Sequence, residues 1–257
     1  MTVHIERPSG RELELALAML EPWRRVTRPT FEGLERVPDE GPLLFVGNHT
    51  LFGVLDVPLF FGELYQRKGI FLRALADHAH YRLPVWRDLL TRFGAVDGTR
   101  ENCAALMRAG EPILVFPGGG REVAKRKGER YQLIWKERLG FARLAIAHRC
   151  TIVPFAATGV EGMFDIVLDA NDFLATPIGK AYQRLGLRAD IVPPLVRAAG
   201  STLLPRPAQL HFQIGAPIRA AEHGGDPDDT AAAKALRDVV RAAVRSGIDD
   251  LLDRYPE

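Results

Sequence analysis

The sequence predicts an α/β protein. It is a single layered domain with a mainly parallel central sheet flanked by helices, preceded by an N-terminal amphipathic helix. Three observations predict it. Short apolar runs (Leu43–Val46, Ile70–Leu75, Ile113–Phe116, Thr151–Phe155) alternate with stretches that read as helices. Two of the runs stop abruptly in polar or glycine-rich turns, Gly47-Asn48-His49 and Pro117-Gly118-Gly119-Gly120-Arg121-Glu122. Strands end this way at the carboxyl edge of an open sheet, where ligands bind. The 257 residues, 47% of them hydrophobic, also suffice for one large domain with a full core.

The elements follow in order. Residues 9–24 form the first helix, in which Leu13, Leu17, Leu20 and Trp23 recur near helical spacing. Its first turns carry Glu12 and Glu14, which favours packing against the core over an interfacial anchor. The core spans about 25–220. It predicts strand at Leu43–Val46, helix at 53–67, strand at Ile70–Leu75, and helices at 84–93 and 100–109 ended by Gly94 and Gly110. Strand at Ile113–Phe116, helix at 136–149 and strand at Thr151–Phe155 follow. Residues 160–207 break this rhythm with scattered apolar patches and a proline-rich stretch from Pro193 to Pro207. Leu210–Ile214 resembles a late strand, and 228–253 form a helical tail. There are no repeats and no low-complexity linker, so residues 1–257 read as one domain.

Composition excludes several classes. The net charge of +2 demands no polyanionic partner, and no nucleic-acid-binding signature occurs. Charge is uneven, however. Residues 121–138 hold Arg121, Lys125, Arg126, Lys127, Arg130, Lys136 and Arg138 against Glu122, Glu129 and Glu137. That run is either a solvated helix face or a landing patch for phosphates or anionic lipid. Cys103 and Cys150 read as buried small hydrophobes. No signal peptide and no run of eighteen apolar residues is seen, so the expected location is cytoplasmic, peripheral on the inner face of the membrane. Ser9, Ser201 and Ser246 lie outside any Gly-x-Ser-x-Gly elbow. The triglycine is not a phosphate-binding P-loop, and a dinucleotide fingerprint fails at Val123. No His-Glu-x-x-His pairing occurs, and His78 with His80 is a weak metal pair, so neither metal nor cofactor is expected.

What remains is His49. It ends a strongly apolar run, and an imidazole with an ordinary pKa of about 6.5 suits proton removal near neutrality. Asn48 beside it is placed to orient the ring or a substrate carbonyl. Residues 51–61 are apolar nearly all round, as are Met163, Phe164, Ile166 and Leu168. They read as buried core or as a channel for an apolar chain.

Four pieces, in order, carry a resemblance. They are Phe45-Val-Gly-Asn-His49 through Asp56; Gly94-Ala-Val-Asp-Gly-Thr-Arg100; Val115-Phe-Pro-Gly-Gly-Gly-Arg-Glu122 with Tyr131–Lys136 and Gly140-Phe141-Ala142; and Ile152-Val-Pro-Phe155 with Gly159 and Glu161. A closing stretch, Pro205 to Pro217, adds to them. Across roughly residues 25–220 the chain resembles the lysophospholipid/glycerolipid acyltransferase superfamily, in its diacylglycerol-acyltransferase-like and phytyl-ester-synthase-like branch. The resemblance implies a glycerol-phosphate-acyltransferase-like fold. It also implies transfer of a fatty acyl group from acyl-CoA or acyl carrier protein to a lipid hydroxyl, a neutral acylglycerol or a lysophospholipid. His49 is then the general base, and Asp56 or Glu122 is the acid that orients it, with Asp77 next in line. Backbone N–H groups of Gly118, Gly119 and Gly120 are oxyanion donors. Arg100 and Arg121 either grip a phosphate or form structural ion pairs.

The chain departs from the family in two places. The usual block is His-x-x-x-x-Asp, yet Val54 stands at that position and the acid comes at Asp56. On a regular helix Asp56 would lie about 10 Å along the axis from His49. Either Gly53 bends the chain or another acid serves. The triglycine also replaces the Glu-Gly-Thr-Arg-Ser of the glycerol-phosphate branch and favours neutral acceptors. Two further readings stay open: a catalytically silent lipid-binding protein, and a lipid hydrolase or transesterase.

Overall fold

The computed structural model describes residues 7–77, 84–202 and 204–257. In chain order the elements are α1 (Gly10–Thr27), β1 (Thr30–Glu32), β2 (Leu43–Gly47), α2 (Val57–Lys68), β3 (Arg73–Ala76), α3 (Pro84–Arg92), β4 (Val96–Asp97), α4 (Arg100–Arg108), β5 (Ile113–Val115) and α5 (Gly119–Val123). Then come α6 (Gly140–Ala147), β6 (Thr151–Thr158), β7 (Asp165–Leu168), α7 (Ala170–Ala175), α8 (Pro177–Arg184), β8 (Leu195–Arg197), β9 (His211–Ile214), β10 (Ile218–Arg219) and α9 (Thr230–Arg254).

The main sheet runs β1-β9-β6-β2-β5-β3-β4, with β10 against β6. β2 is parallel to both β5 and β6, and β3 to both β5 and β4. Among the described residues, the antiparallel pairs of this sheet are β6–β9 and β6–β10. Val46 is registered with Val115, and Gly47 with Phe155. The carboxyl ends of β2, β5 and β6 therefore lie side by side. The chain leaves β2 toward β3 on one side, and β6 is added on the other, the change of direction at which open sheets bind ligands.

All five β2 residues are buried, which explains their unbroken apolar run. Leu44 and Val46 join Leu106, Phe141, Leu236 and Val240 on the α4, α6 and α9 side. Leu43 and Phe45 join Leu59, Phe60 and Leu64 of α2 on the other. α1 opens with a capping box between Ser9 and Glu12. It then packs on α2, where Arg24 pairs with Glu63 at 2.7 Å and the Trp23 Nε1–H donates to the Leu55 carbonyl at 2.7 Å.

Several elements differ from the sequence reading. The helix expected at 53–67 starts only at Val57, because Phe52 and Gly53 stand at φ 64° and 66°, outside helical space. The helix expected at 136–149 shrinks to α6, and Lys136 is left-handed at φ 51°. β1 and β4, three and two residues long, are too short to leave a pattern. Residues 160–207 fold into α7, α8 and the separate antiparallel pair β7–β8. The basic run is not a helix face, and five of its seven cations are ion-paired, with Lys127, Arg130 and Lys136 remaining about half exposed. Arg121 pairs with Glu129, Lys125 with Glu161, Lys127 with Asp172, Arg130 with Asp165 and Lys136 with Asp190. Most of these acids belong to the 160–207 excursion, so the run fastens that excursion to the core. No helix among the described residues is long and apolar enough to cross a membrane.

Candidate active site

β2 hands over to the site through Asn48. Its Nδ2 donates to the Ala157 carbonyl at 2.9 Å, and its Oδ1 accepts the Ala157 N–H at 2.8 Å. The side chain thus continues the β2–β6 ladder by one step. This corrects the expectation that Asn48 orients the ring or a substrate carbonyl, since both ends of the amide are engaged by backbone.

His49 follows, half-buried, its ring 4.2 Å from that of Phe116, centroid to centroid, with Nδ1 buried. Phe116 is the residue after β5, so the neighbouring strand supplies the ring's backing. On another side lies Gly53, where a Cβ would run into His49 Cε1 and stand 2.8 Å from Nδ1. Gly53 is left-handed at φ 66°, and the turn brings its backbone against the imidazole.

Glu122 is fully buried. Its Oε1 accepts the His49 main-chain N–H at 2.8 Å, and its Oε2 accepts the Ile134 N–H at 3.1 Å. It holds the His49 backbone, where the sequence reading has it orienting the ring. The carboxylate passes over Gly118, at which any Cβ would collide with Glu122 Oε2. The first glycine of the triglycine is thus where Glu122 makes its approach. Asp56 is also buried: Oδ2 accepts the Thr50 hydroxyl at 2.8 Å, and Oδ1 accepts the Val57 N–H at 2.9 Å, capping α2. It therefore ties the residue after His49 to the start of α2. Thr50 carries no sequence signal of this role.

Burial pushes both carboxyls above the usual carboxylate range. Hydrogen bonds pull each back, and so does the charge of Lys125. Lys125 is buried and lies 3.2 Å from Glu161, whose carboxyl burial pushes up to about 7. Glu161 in turn accepts the Tyr131 N–H at 2.5 Å. One buried ammonium thus acts on three buried carboxylates, a grouping scattered over about a hundred residues of sequence and invisible as a motif.

Around the triglycine, the Gly119 N–H donates to the Phe116 carbonyl at 2.9 Å. Arg121 is buried and turned onto Glu129 at 2.5 Å and the Ala124 carbonyl at 3.2 Å, matching the structural ion pair among its two expected roles. Arg100 is exposed at the first turn of α4, after edge strand β4 and three strand positions from β2. Asp77, just past β3, pairs with Arg188 at 3.3 Å. Cys103 and Cys150 are buried, their thiols pushed up to about 11 and about 12. His78 and His80 lie outside the described residues. Among the described residues, no group of three His, Cys, Asp or Glu side chains converges as a metal site.

The geometry is thus an imidazole at the carboxyl edge of the sheet, packed on Phe116 after β5 and on Gly53, with its backbone tied to a buried carboxylate. Residues 28–158, just over half of the chain, match the acyltransferase family. The chain belongs to the acyltransferase family. Proteins similar to it include phytyl ester synthase 1, chloroplastic, of Arabidopsis thaliana, 36% identical over 59% of this chain and 22% of that protein. The DGAT1/2-independent enzyme synthesizing storage lipids of Homo sapiens is 33% identical over 51% of this chain and 40% of that protein. The chain therefore spans less than half of the length of these two relatives. The same fold occurs in the 1-acyl-sn-glycerophosphate acyltransferase PlsC of Thermotoga maritima, with a TM-score of 0.54 at 16% identity over 98% of this chain and 86% of that one. His49, Asn48, Asp56, Glu122 and the triglycine all fall inside the matched region.

Proposed function

We propose that this acyltransferase moves a fatty acyl group from an acyl thioester, carried by CoA or acyl carrier protein, to the hydroxyl of a lipid. The observation that carries this reading is the placement of His49 at the carboxyl end of β2, packed on Phe116 and Gly53 and tethered through its backbone to Glu122. With Nδ1 buried, Nε2 is the nitrogen assigned to take the proton from the attacking hydroxyl. As the ester C–O bond forms the thioester C–S bond breaks, and the proton passes on to the departing thiolate, which leaves as the free thiol of CoA or the carrier protein. The oxygen of the thioester carbonyl, as it gains charge, is met by main-chain N–H groups of Gly118 and Gly120, that of Gly119 being engaged by Phe116. Direct transfer needs no enzyme nucleophile, in keeping with two buried cysteines whose thiols are pushed up. The relatives are named for phytyl esters and for storage lipids, which supports a neutral acceptor, as does the triglycine.

The test is a purified His49→Ala protein assayed with radiolabelled acyl-CoA over a panel of acylglycerols, lysophospholipids and long-chain alcohols. The expected result is a loss of turnover of about 10²- to 10⁴-fold with the circular dichroism unchanged. Undiminished transfer would remove His49 from the mechanism. Fatty acid released by the unmodified protein in the absence of any acceptor would make it a hydrolase.

A further inference from the structure

α8 is held on one side and bare on the other. Gly179 lies so close to α7 that a Cβ there would fall 2.6 Å from the Leu174 Cα, and Tyr182 meets Phe173 edge-on at 5.7 Å. Beside this contact, on one flank of the helix, Ile178 and the C-cap residue Leu185 are two turns apart and 74% and 75% exposed, with exposed Ala181 between them. Lys180 and Arg184 lie together along one edge of this stripe, on the face turned away from α7, and both are exposed. From 176 to 204 the chain holds four cations, Lys180, Arg184, Arg188 and Arg197, against the single acid Asp190; Arg188 is paired with Asp77 and Asp190, so the basic excess near α8 rests on Lys180 and Arg184.

An apolar stripe with a basic border is the pattern of a helix lying in an anionic bilayer surface. α1 also exposes apolar residues, Leu15 and Met19, but its Arg11, Arg24 and Arg25 are matched by Glu12, Glu14 and Glu21. Charge thus distinguishes the two helices. α8 also leads back to the site: Ile191 Cγ2 lies 3.0 Å from where a Cβ on Gly120 would stand, and Lys136 Nζ is 3.7 Å from Asp190.

We propose that α8 is a membrane-docking helix that seats the 160–207 excursion on an anionic bilayer, beside the triglycine turn. Its purpose rests on the lipid acyl-transfer reading, but its existence is measured without turnover. The experiment is co-sedimentation of the full chain with phosphatidylcholine vesicles, with and without phosphatidylglycerol, at low and high salt. The unmodified protein and His49→Ala are expected to bind the anionic vesicles equally and to release in salt. The double variant Ile178→Asp/Leu185→Asp is expected to stay in the supernatant, and Lys180→Glu/Arg184→Glu to bind at least about tenfold more weakly. Both variants change exposed residues, and thermal melts check that they fold. Transfer to an acceptor embedded in vesicles falls with binding, while transfer to a short water-soluble alcohol holds. Vesicle binding that survives Ile178→Asp/Leu185→Asp, or none by the unmodified protein, overturns the proposal. A dimer in gel filtration that this variant splits also overturns it, assigning the stripe to a second copy of the chain.

Discussion

Gly53 shows how much rests on single residues here. A side chain at its φ of +66° costs about 1–3 kcal/mol, and its Cβ has to displace the His49 ring. Gly53→Ala is therefore expected to lower kcat/KM by tenfold or more with the fold intact; full activity would show that the ring tolerates the shift. Glu122 makes a second case. Its carboxylate accepts two main-chain N–H groups, whereas an amide offers one oxygen and turns an NH₂ on the other donor. Glu122→Gln is expected to lose about 1–3 kcal/mol in urea unfolding. A loss within error would mean that the His49 backbone is held by something else. Of these residues, His49 was legible because it interrupts an apolar run. The parts of Glu122, Thr50 and Phe116 were not, because hydrogen bonds and ring contacts between distant segments leave no periodicity.

At the scale of elements, the turn 49–56 and helix α2 form one unit. Asp56 caps α2 and holds Thr50, so the residue after His49 is fixed to the helix start. Asp56→Ala is expected to destabilise the protein by about 1–2 kcal/mol and to lower transfer together with it. A stable but inactive Asp56→Asn protein would instead point to the charge. The sequence marked the long, two-sided buried strands and the strongly periodic helices to within a few residues. It failed where the backbone turned left-handed at Phe52 and Lys136, residues with no conformational preference that announces it. It failed again in 160–207, where elements of three to eight residues are stabilised by neighbours and by the ion pairs of the basic run.

Across the whole molecule, buried charge ties stability to pH. Glu161 binds its proton more tightly folded, at about 7, than at its ordinary 4.5. The folded state therefore holds the extra proton between these values, and stability falls as pH rises from about 4.5 to about 7. Glu161→Gln is expected to flatten the dependence of Tm on pH over that window; an unchanged slope would show the carboxyl to be ionised throughout. The opposite face depends on packing. Leu236, Val240, Val244, Ile248 and Leu251 of α9 are fully buried against the sheet. Ile248→Ala is expected to cost about 2–5 kcal/mol in urea unfolding without a change in KM.

By itself the sequence determined the layered α/β class, the strand that ends in His49, and the glycine turn opposite it. Those features are local: apolar runs, helical spacing and glycine write themselves in consecutive residues. Only the tertiary structure decided which carboxylates reach His49 and its neighbour, that Lys125 is shared among three of them, and that the basic run is tied down while α8 is left bare. Such contacts depend on strand order and register, which bring together residues far apart in the chain, and no spacing along the sequence encodes them.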